Sequence, residues 1–285
     1  MSRNGVKQRI LILGGSGFIG NALYRELHPF FDVHATYCRQ QGNFSENRIF
    51  HNFCTEKDSL FLLLTSLRPT VIISASKSIS ERYVEAHRQI AEYILLNPTS
   101  SLLFISSFEV FDAKWQLPSY ESDIPLSQSA SGKMKITVEK LLMEQIPQQT
   151  AILRLPMVLG INSPIIFHLR QCIRHQATFE VYPNVAITAT TIRKVCQQIH
   201  YIINKSLRGI YHLASTDMIA HEDLFREITA KMGDNMPIFK SVFSSNDISY
   251  NAILPSRETM PKHYQITVSE VIEESSLNEE IVSIK

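Results

Sequence analysis

Two short stretches carry residue types and spacings that could do chemistry. The first, GGSGFIG, sets Gly14, Gly17 and Gly20 directly after an apolar run and at the opening of a helical pattern. Glycine at the first place permits a tight turn, at the second it lets backbone approach a pyrophosphate, and at the third it lets helix and sheet pack closely. The helix beyond would offer unpaired N–H groups and a positive dipole end to the anion, with Ser16, Phe18 and Ile19 completing the turn. Two other glycine-rich devices are excluded. A P-loop needs lysine after its last glycine, where Asn21 stands, and a hydrolase elbow needs glycine two residues after Ser16, where Phe18 stands. The second stretch, SGKMKITVEK, places Ser131 four residues before Lys135, with Glu139 four residues further on. One helical turn puts such neighbours on the same face. Serine is also a preferred N-cap, so Ser131 reads either as part of a polar site or as the residue that starts its helix.

The elements that must position these residues alternate. RILILGG, FDVHATY, NRIFHNF, RPTVIISAS, SSLLFISS and TAILRLPMVLG read as six strands. Between them lie helices: GNALYREL, TEKDSLFLLLTSL with a threonine cap, ERYVEAHRQIAEYILL and GKMKITVEKLLMEQ. This rhythm implies right-handed crossovers and an α/β fold, a Rossmann-type doubly wound parallel sheet covered on both faces. Beyond Gly160 the rhythm changes to a helix, two short strands around Pro183, a second helix, the strand GIYHLA and the helix HEDLFREITAKMG. The expected organisation is a dinucleotide-binding core over 1–160 and, over 161–285, a small α/β substrate lobe with some segments returning to the core sheet. The acidic tail from Ser269 to Glu280 reads as a solvated terminal helix.

Composition narrows the function classes. A net charge of +1 with scattered Lys and Arg argues against nucleic-acid binding through a strong positive field. The four cysteines, at 38, 54, 172 and 196, form no metal-type pair and read as thiols in a reducing compartment. The N-terminal apolar run is too short for a signal segment or membrane span, so a cytoplasmic location is expected. A site for NAD usually ends its second strand with an acid that binds the ribose 2′-OH. VHATYCRQ holds no acid from Val33 to Gln40, and Arg39 is placed to meet a 2′-phosphate, so NADP is expected over NAD.

The glycine turn, the strand ending FISSFEVFD, the SGKMKITVEK helix and the strand LRLPMVLG together resemble the extended short-chain dehydrogenase/reductase family. The branch that looks most similar is the dTDP-4-dehydrorhamnose reductase type. That branch reads about ISTDYVFDG where this chain has ISSFEVFDA, and YTEDDPPNP where it has YESDIPLSQ. The resemblance runs from about residue 9 to 232. It implies an NADP-dependent reductase of a nucleotide-linked keto-sugar, with Ser107 hydrogen-bonding the substrate carbonyl and Lys135 holding the nicotinamide ribose. Pro156 and Val158 would line the nicotinamide. Asn52 stands where an aspartate would contact adenine, and Ala75 lies in SAS, where the family has NAA. The family's catalytic tyrosine position is Ser131, and Glu139 matches a family glutamate that fixes this register. Ser131, or a water it holds, would then deliver the proton. The rival reading is a non-catalytic NAD(P)-binding pseudoenzyme serving as a regulatory or interaction subunit. A small-molecule substrate is the expected partner, with neither nucleic acid nor membrane, and a homodimer is left open.

Overall fold

The computed structural model describes residues 8–38, 49–53, 59–233, 235–243, 247–256 and 260–277. Its first half runs β1 (Arg9–Leu13), α1 (Phe18–Leu27), β2 (Asp32–Tyr37), β3 (Phe50–Asn52), α2 (Leu60–Leu67), β4 (Val71–Ser74), α3 (Glu81–Leu96), β5 (Ser101–Ser107), α4 (Ala130–Gln145) and β6 (Thr150–Leu155). There follow β7 (Met157–Leu159), α5 (Pro164–His175), β8 (Thr178–Val181), β9 (Val185–Ile187), β10 (Ala189–Thr191), α6 (Ile192–Lys205) and β11 (Gly209–His212). The last elements are β12 (Ile219–Ala220), α7 (His221–Met232), β13 (Ile238–Ser241), β14 (Ser249–Asn251) and α8 (Val268–Ser276).

Seven strands form the main sheet in the order β11-β6-β5-β4-β1-β2-β3. Ladders from β3 through β5 are parallel, with Ile10 opposite both Val33 on β2 and Val71 on β4. The near-continuous apolar runs of β1, β4, β5 and β6 suit such a sheet, because both of its faces are covered and alternation is lost. The expected doubly wound α/β architecture is therefore present. The chain divides into two compact units: Met1–Val110 with Gln128–Arg154 and Cys196–Tyr211, and Phe111–Ser127 with Leu155–Val195 and His212–Lys285. In the first, Leu11, Ile72, Leu102 and Phe104 of the sheet bury against Ile90 of α3 and Val138 and Leu142 of α4. The second has its own core, including Leu159, Ile166, Phe179, Phe225, Ile228 and Val271.

Three expectations are corrected. TAILRLPMVLG is not one strand: Pro156 has no N–H to give a ladder, so β6 ends at Leu155 and Met157–Leu159 pairs instead with β10. The helix after β3 begins at Leu60 with Ser59 at its N-cap, while the expected threonine cap, Thr55, lies outside the described residues. The tail helix is not merely solvated. Val268, Val271 and Ile272 of α8 are buried in the second core, and Thr267 with Glu270 forms a capping box at its start. Cys172 and Cys196 are buried and Cys38 half-buried, none of the three in a disulfide, and Cys54 lies outside the described residues. No helix among the described residues is long and apolar enough to cross a membrane.

One ion pair inside the first unit fixes α4 to the sheet. Arg154 of β6 donates to Glu139 of α4 from Nη2 at 2.7 Å and from Nε at 3.2 Å. The Ser106 hydroxyl of β5 adds a third bond to the same carboxylate at 2.5 Å. Arg154 is 1% exposed and Glu139 4%, so removing one partner would strand a charge in the interior. Arg154→Met should destabilise the protein by about 3–5 kcal/mol in urea denaturation, with much of that loss recovered when Glu139→Leu is added.

Candidate functional site

The glycine turn joins β1 to α1. Gly14 sits at φ +81°, a conformation side chains rarely adopt, and a Cβ there would lie 2.9 Å from the Ser76 amide nitrogen. A Cβ at Gly20 would lie 2.2 Å from the Gly14 carbonyl oxygen, so the first turn of α1 packs directly on the preceding loop. The Gly17 N–H closes the turn onto the Gly14 carbonyl at 3.0 Å, and Gly17 is the N-cap of α1. Ser16, Phe18 and Ile19 are half-buried around it. The first-turn N–H groups of α1 have no partner within the helix. The Gly14 N–H is held by the Thr36 hydroxyl of β2 at 2.9 Å, a contact the sequence reading missed because Thr36 looked like an ordinary strand residue. Backbone held this closely, at a helix start and without side chains in the way, fits a dinucleotide pyrophosphate.

Around the turn, Ala75 donates from its N–H to the Leu13 carbonyl at 2.9 Å, which ties the end of β4 to the end of β1. Asn52 is exposed at the end of β3, opposite Tyr37. Arg39 lies outside the described residues. Pro156 is buried and Val158 half-buried, and both belong to the second unit, where Val158 pairs with Thr190 of β10.

Below the end of β4, His87 of α3 donates from Nδ1 to the Tyr83 carbonyl at 2.7 Å, since a carbonyl can only accept. Its Nε2 then accepts the Ser74 hydroxyl at 2.9 Å. Burial pushes this imidazole down to about 4, against a partial upward pull from the Tyr83 carbonyl. The Tyr83 phenol donates to the Ser76 carbonyl at 2.9 Å, and burial pushes it up to about 12. It is engaged in holding the loop after β4 and does not stand in for a catalytic tyrosine.

Ser107, Ser131 and Lys135 come together in the first unit. Lys135 is 5% exposed, which rules out a surface lysine. Its Nζ donates to the Ser107 hydroxyl at 2.7 Å. Burial pushes this ammonium down to about 8; the nearby Lys77 charge also lowers it, and Glu109 opposes the fall. Ser131 is not the helix cap. Ser129 holds that place, its hydroxyl accepting from the Gly132 N–H at 3.0 Å, which frees Ser131 in the first turn of α4 to face the site.

The residue sequence reasoning missed is Glu109, on the short 3-10 helix Phe108–Phe111 that follows β5. Its Oε2 accepts from Ser131 at 2.7 Å and from Ser107 at 3.1 Å and lies 3.7 Å from the Lys135 ammonium. Burial alone would raise this carboxyl, but the Ser131 hydroxyl, the Lys135 charge, the Ser107 hydroxyl and Lys77 outweigh it and hold it below the ordinary range. A signal was available: aligning ISSFEVFDA with ISTDYVFDG sets this acid opposite a tyrosine.

The sequence pattern of the RmlD substrate binding domain family matches residues 8–260. The chain belongs to that family. Among proteins, methionine adenosyltransferase 2 subunit beta of Bos taurus is 23% identical over 243 residues, covering 76% of this chain and 70% of that protein. The Xenopus laevis protein of the same name is 24% identical over 257 residues, covering 81% and 73%. Among solved structures, a dTDP-4-dehydrorhamnose reductase from Yersinia enterocolitica shares the fold with a TM-score of 0.75 at 21% identity, covering 95% of this chain and 100% of that one. A reductase of the same name from Bacillus anthracis, in complex with NADP, has a TM-score of 0.74 at 17% identity, covering 95% and 99%. Membership of the RmlD substrate binding domain family agrees with the resemblance read from the motifs.

Two outcomes follow for this RmlD-family chain. Gly20→Ala forces a methyl against backbone that cannot swing aside, and should cost about 1–3 kcal/mol or more in urea denaturation. The unfolded chain binds a proton on His87 near the ordinary histidine value of about 6.5, the folded chain only near 4. The stabilising contribution of neutral His87 is therefore complete above about pH 6.5 and lost as pH falls toward 4, by on the order of 3 kcal/mol. Denaturation midpoints should drop between pH 7 and 4.5, and drop less in His87→Gln; the residual slope includes His221, which burial also pushes down to about 4, and His34 and His51, which burial lowers as well.

Proposed function

We propose that the chain is an NADP-dependent reductase that transfers a hydride to the carbonyl of a nucleotide-linked keto-sugar. The observation that carries this reading is the buried Lys135–Ser107 contact at 2.7 Å. It sets a cation and a hydroxyl side by side at the C-terminal end of β5, in the same unit as the glycine turn at the end of β1. Ligands of open α/β sheets sit outside these strand ends. Family membership and the fold shared with dTDP-4-dehydrorhamnose reductases, one of them in complex with NADP, support the substrate and cofactor class. A dTDP-glucose 4,6-dehydratase in complex with NAD also shares the fold, so the preference for NADP rests on Arg39 and on the missing acid at the end of β2.

When bound, the dinucleotide would supply the hydride. Everything else falls to the chain. Gly14, Gly17 and Gly20, with the N–H groups of Phe18 and Ile19, would receive the pyrophosphate, Arg39 the 2′-phosphate, and Asn52 and Ala75 the adenosine side. Pro156 and Val158 would bound the nicotinamide. Ser107 would hydrogen-bond the substrate carbonyl oxygen, while Lys135 would hold the ribose and keep positive charge beside the oxygen that gains a proton. Ser131, directly or through a water, would deliver that proton. A serine hydroxyl is a far weaker acid than a phenol, so turnover slower than in a tyrosine-bearing relative is expected.

Fluorescence titration should show NADPH binding at least about tenfold more tightly than NADH, a preference that Arg39→Ala removes. The chain should oxidise NADPH with a dTDP-4-keto-sugar, and Lys135→Met should lower kcat/KM by roughly 10²–10⁴. Binding of neither dinucleotide sinks the whole reading. Tight NADPH binding with no oxidation for any such sugar sinks the reductase and leaves a dinucleotide-binding subunit.

A further inference from the structure

Two departures from the family pattern meet in space. Ser131 stands at the place of the tyrosine in the Tyr-Lys turn, and Glu109 stands at the place of the tyrosine in ISTDYVFDG. The first donates to the second at 2.7 Å. A single carboxylate oxygen, Glu109 Oε2, takes both serine hydroxyls and faces Lys135 Nζ.

We propose that Glu109 is a positioning residue that takes over, from the absent phenol, the part of anionic partner to Lys135, and that it draws the Ser107 and Ser131 hydroxyls onto one oxygen. Its significance for turnover rests on the reductase reading above; its effect on Lys135 does not.

The charges around Lys135 leave this part to Glu109. Glu139 lies one turn along α4, but its carboxylate is committed to Arg154 and Ser106. Lys77, beyond β4, repels the ammonium. Glu109, from the 3-10 helix, is the carboxylate whose oxygen is within 4 Å of Nζ among the described residues. An ionised carboxylate only accepts hydrogen bonds. Without substrate both hydroxyl protons are therefore turned toward Glu109, and Lys135 keeps the proton that the cluster can release near neutral pH. Putting a tyrosine at 131 alone would not rebuild the family site. Its phenol would donate a hydrogen bond to a carboxylate whose negative charge opposes its ionisation.

The test uses the full chain without dinucleotide. Competitive labelling with acetic anhydride, read by mass spectrometry across pH, reports the neutral fraction of Lys135. Removing the Glu109 charge removes an upward pull, so Glu109→Gln should shift the labelling curve to lower pH and speed labelling at pH 7 by about threefold or more. Ser131→Ala, which keeps the carboxylate, should shift it far less. Should Glu109→Gln fail to fold, Glu109→Asp, which withdraws the carboxylate by one methylene, must move the curve in the same direction. In NADPH oxidation, Glu109→Tyr/Ser131→Tyr should exceed Ser131→Tyr by at least about tenfold. A labelling curve unmoved by loss of the Glu109 charge overturns the proposal, as does a Ser131→Tyr single variant that matches the double. A shifted curve with no NADPH oxidation in any variant upholds the role of Glu109 and removes the reductase reading instead.

Discussion

The buried Arg154–Glu139 pair is the constraint on which the chemistry of the first unit depends. Glu139 is bound from two strands at once, by the guanidinium of β6 and the Ser106 hydroxyl of β5. Neither charge can be left alone in the interior, so the rotation of α4 about its own axis is not free. An α-helix repeats its faces every three to four residues, and with Glu139 pinned, Lys135 and Ser131 must point along the same face toward the end of β5. Ser106 binds Glu139, and the next residue, Ser107, binds Lys135. A contact that belongs to the core thereby sets the geometry of a polar cluster one turn away. Neutral packing could hold the helix against the sheet, but it would define that rotation less sharply.

The second constraint acts at the strand ends. β1 lies between β2 and β4 in the sheet, and the chain turns away from β1 through a left-handed glycine pressed against the amide of Ser76. The β4 end is held in turn by Ala75 on Leu13, by Ser74 on His87, and by Tyr83 on the Ser76 carbonyl. The first and last of these bonds satisfy backbone groups, and all three tie down the segment in front of the turn. His87 must stay neutral for this, because its Nε2 accepts from Ser74 while its Nδ1 donates to Tyr83. Ser74 of the SAS departure from the family's NAA is thus accommodated by its bond to His87, while Ser76 contributes its carbonyl and its hydroxyl is buried without a hydrogen-bond partner among the described residues.

Much of this was legible in the residues. Strand and helix alternation up to Arg154 follows from apolar runs that only a doubly covered sheet can bury, and the glycine turn announces both its position and its conformation. Lys135 and Ser107 are 28 positions apart, and only the family pattern suggested that they touch. What stayed hidden was tertiary. Glu109 lies in an unremarkable FEVF and becomes significant only because α4 presents two of its partners. Ser131 could also be read as a helix cap because serine is good at capping, yet Ser129, two residues earlier, is equally good and wins. Pro156 was visible as a strand breaker, but a six-residue, mostly apolar segment on one side and a three-residue apolar run on the other disguised two strands as one. The tail looked solvated because acids outnumber apolar residues from Ser269 to Glu280, whereas the apolar residues of α8 fall at 268, 271 and 272, on one face.

The identities at 109 and 131 are best understood as one choice. A lysine buried as deeply as Lys135 loses hydration, and its ammonium persists at neutral pH only with an anion or strong acceptors nearby. A phenol that ionises beside it can serve, and then the position opposite must be neutral, because a carboxylate there would repel the phenolate and push the phenol up. A carboxylate can serve instead, and then the helix position needs a small donor that fills the acceptor without competing for charge. This chain has the second arrangement in full: Glu109, held ionised by two hydroxyls and a cation, and Ser131, short enough to reach it. Either arrangement balances the charge of the lysine. A tyrosine facing Glu109 would have its own ionisation opposed by that carboxylate, and a serine facing a neutral residue would leave Lys135 with neither carboxylate nor phenolate at these two positions. Serine at 131 is thus matched to glutamate at 109, and the cluster departs from the family pattern at both places while keeping its cation paired.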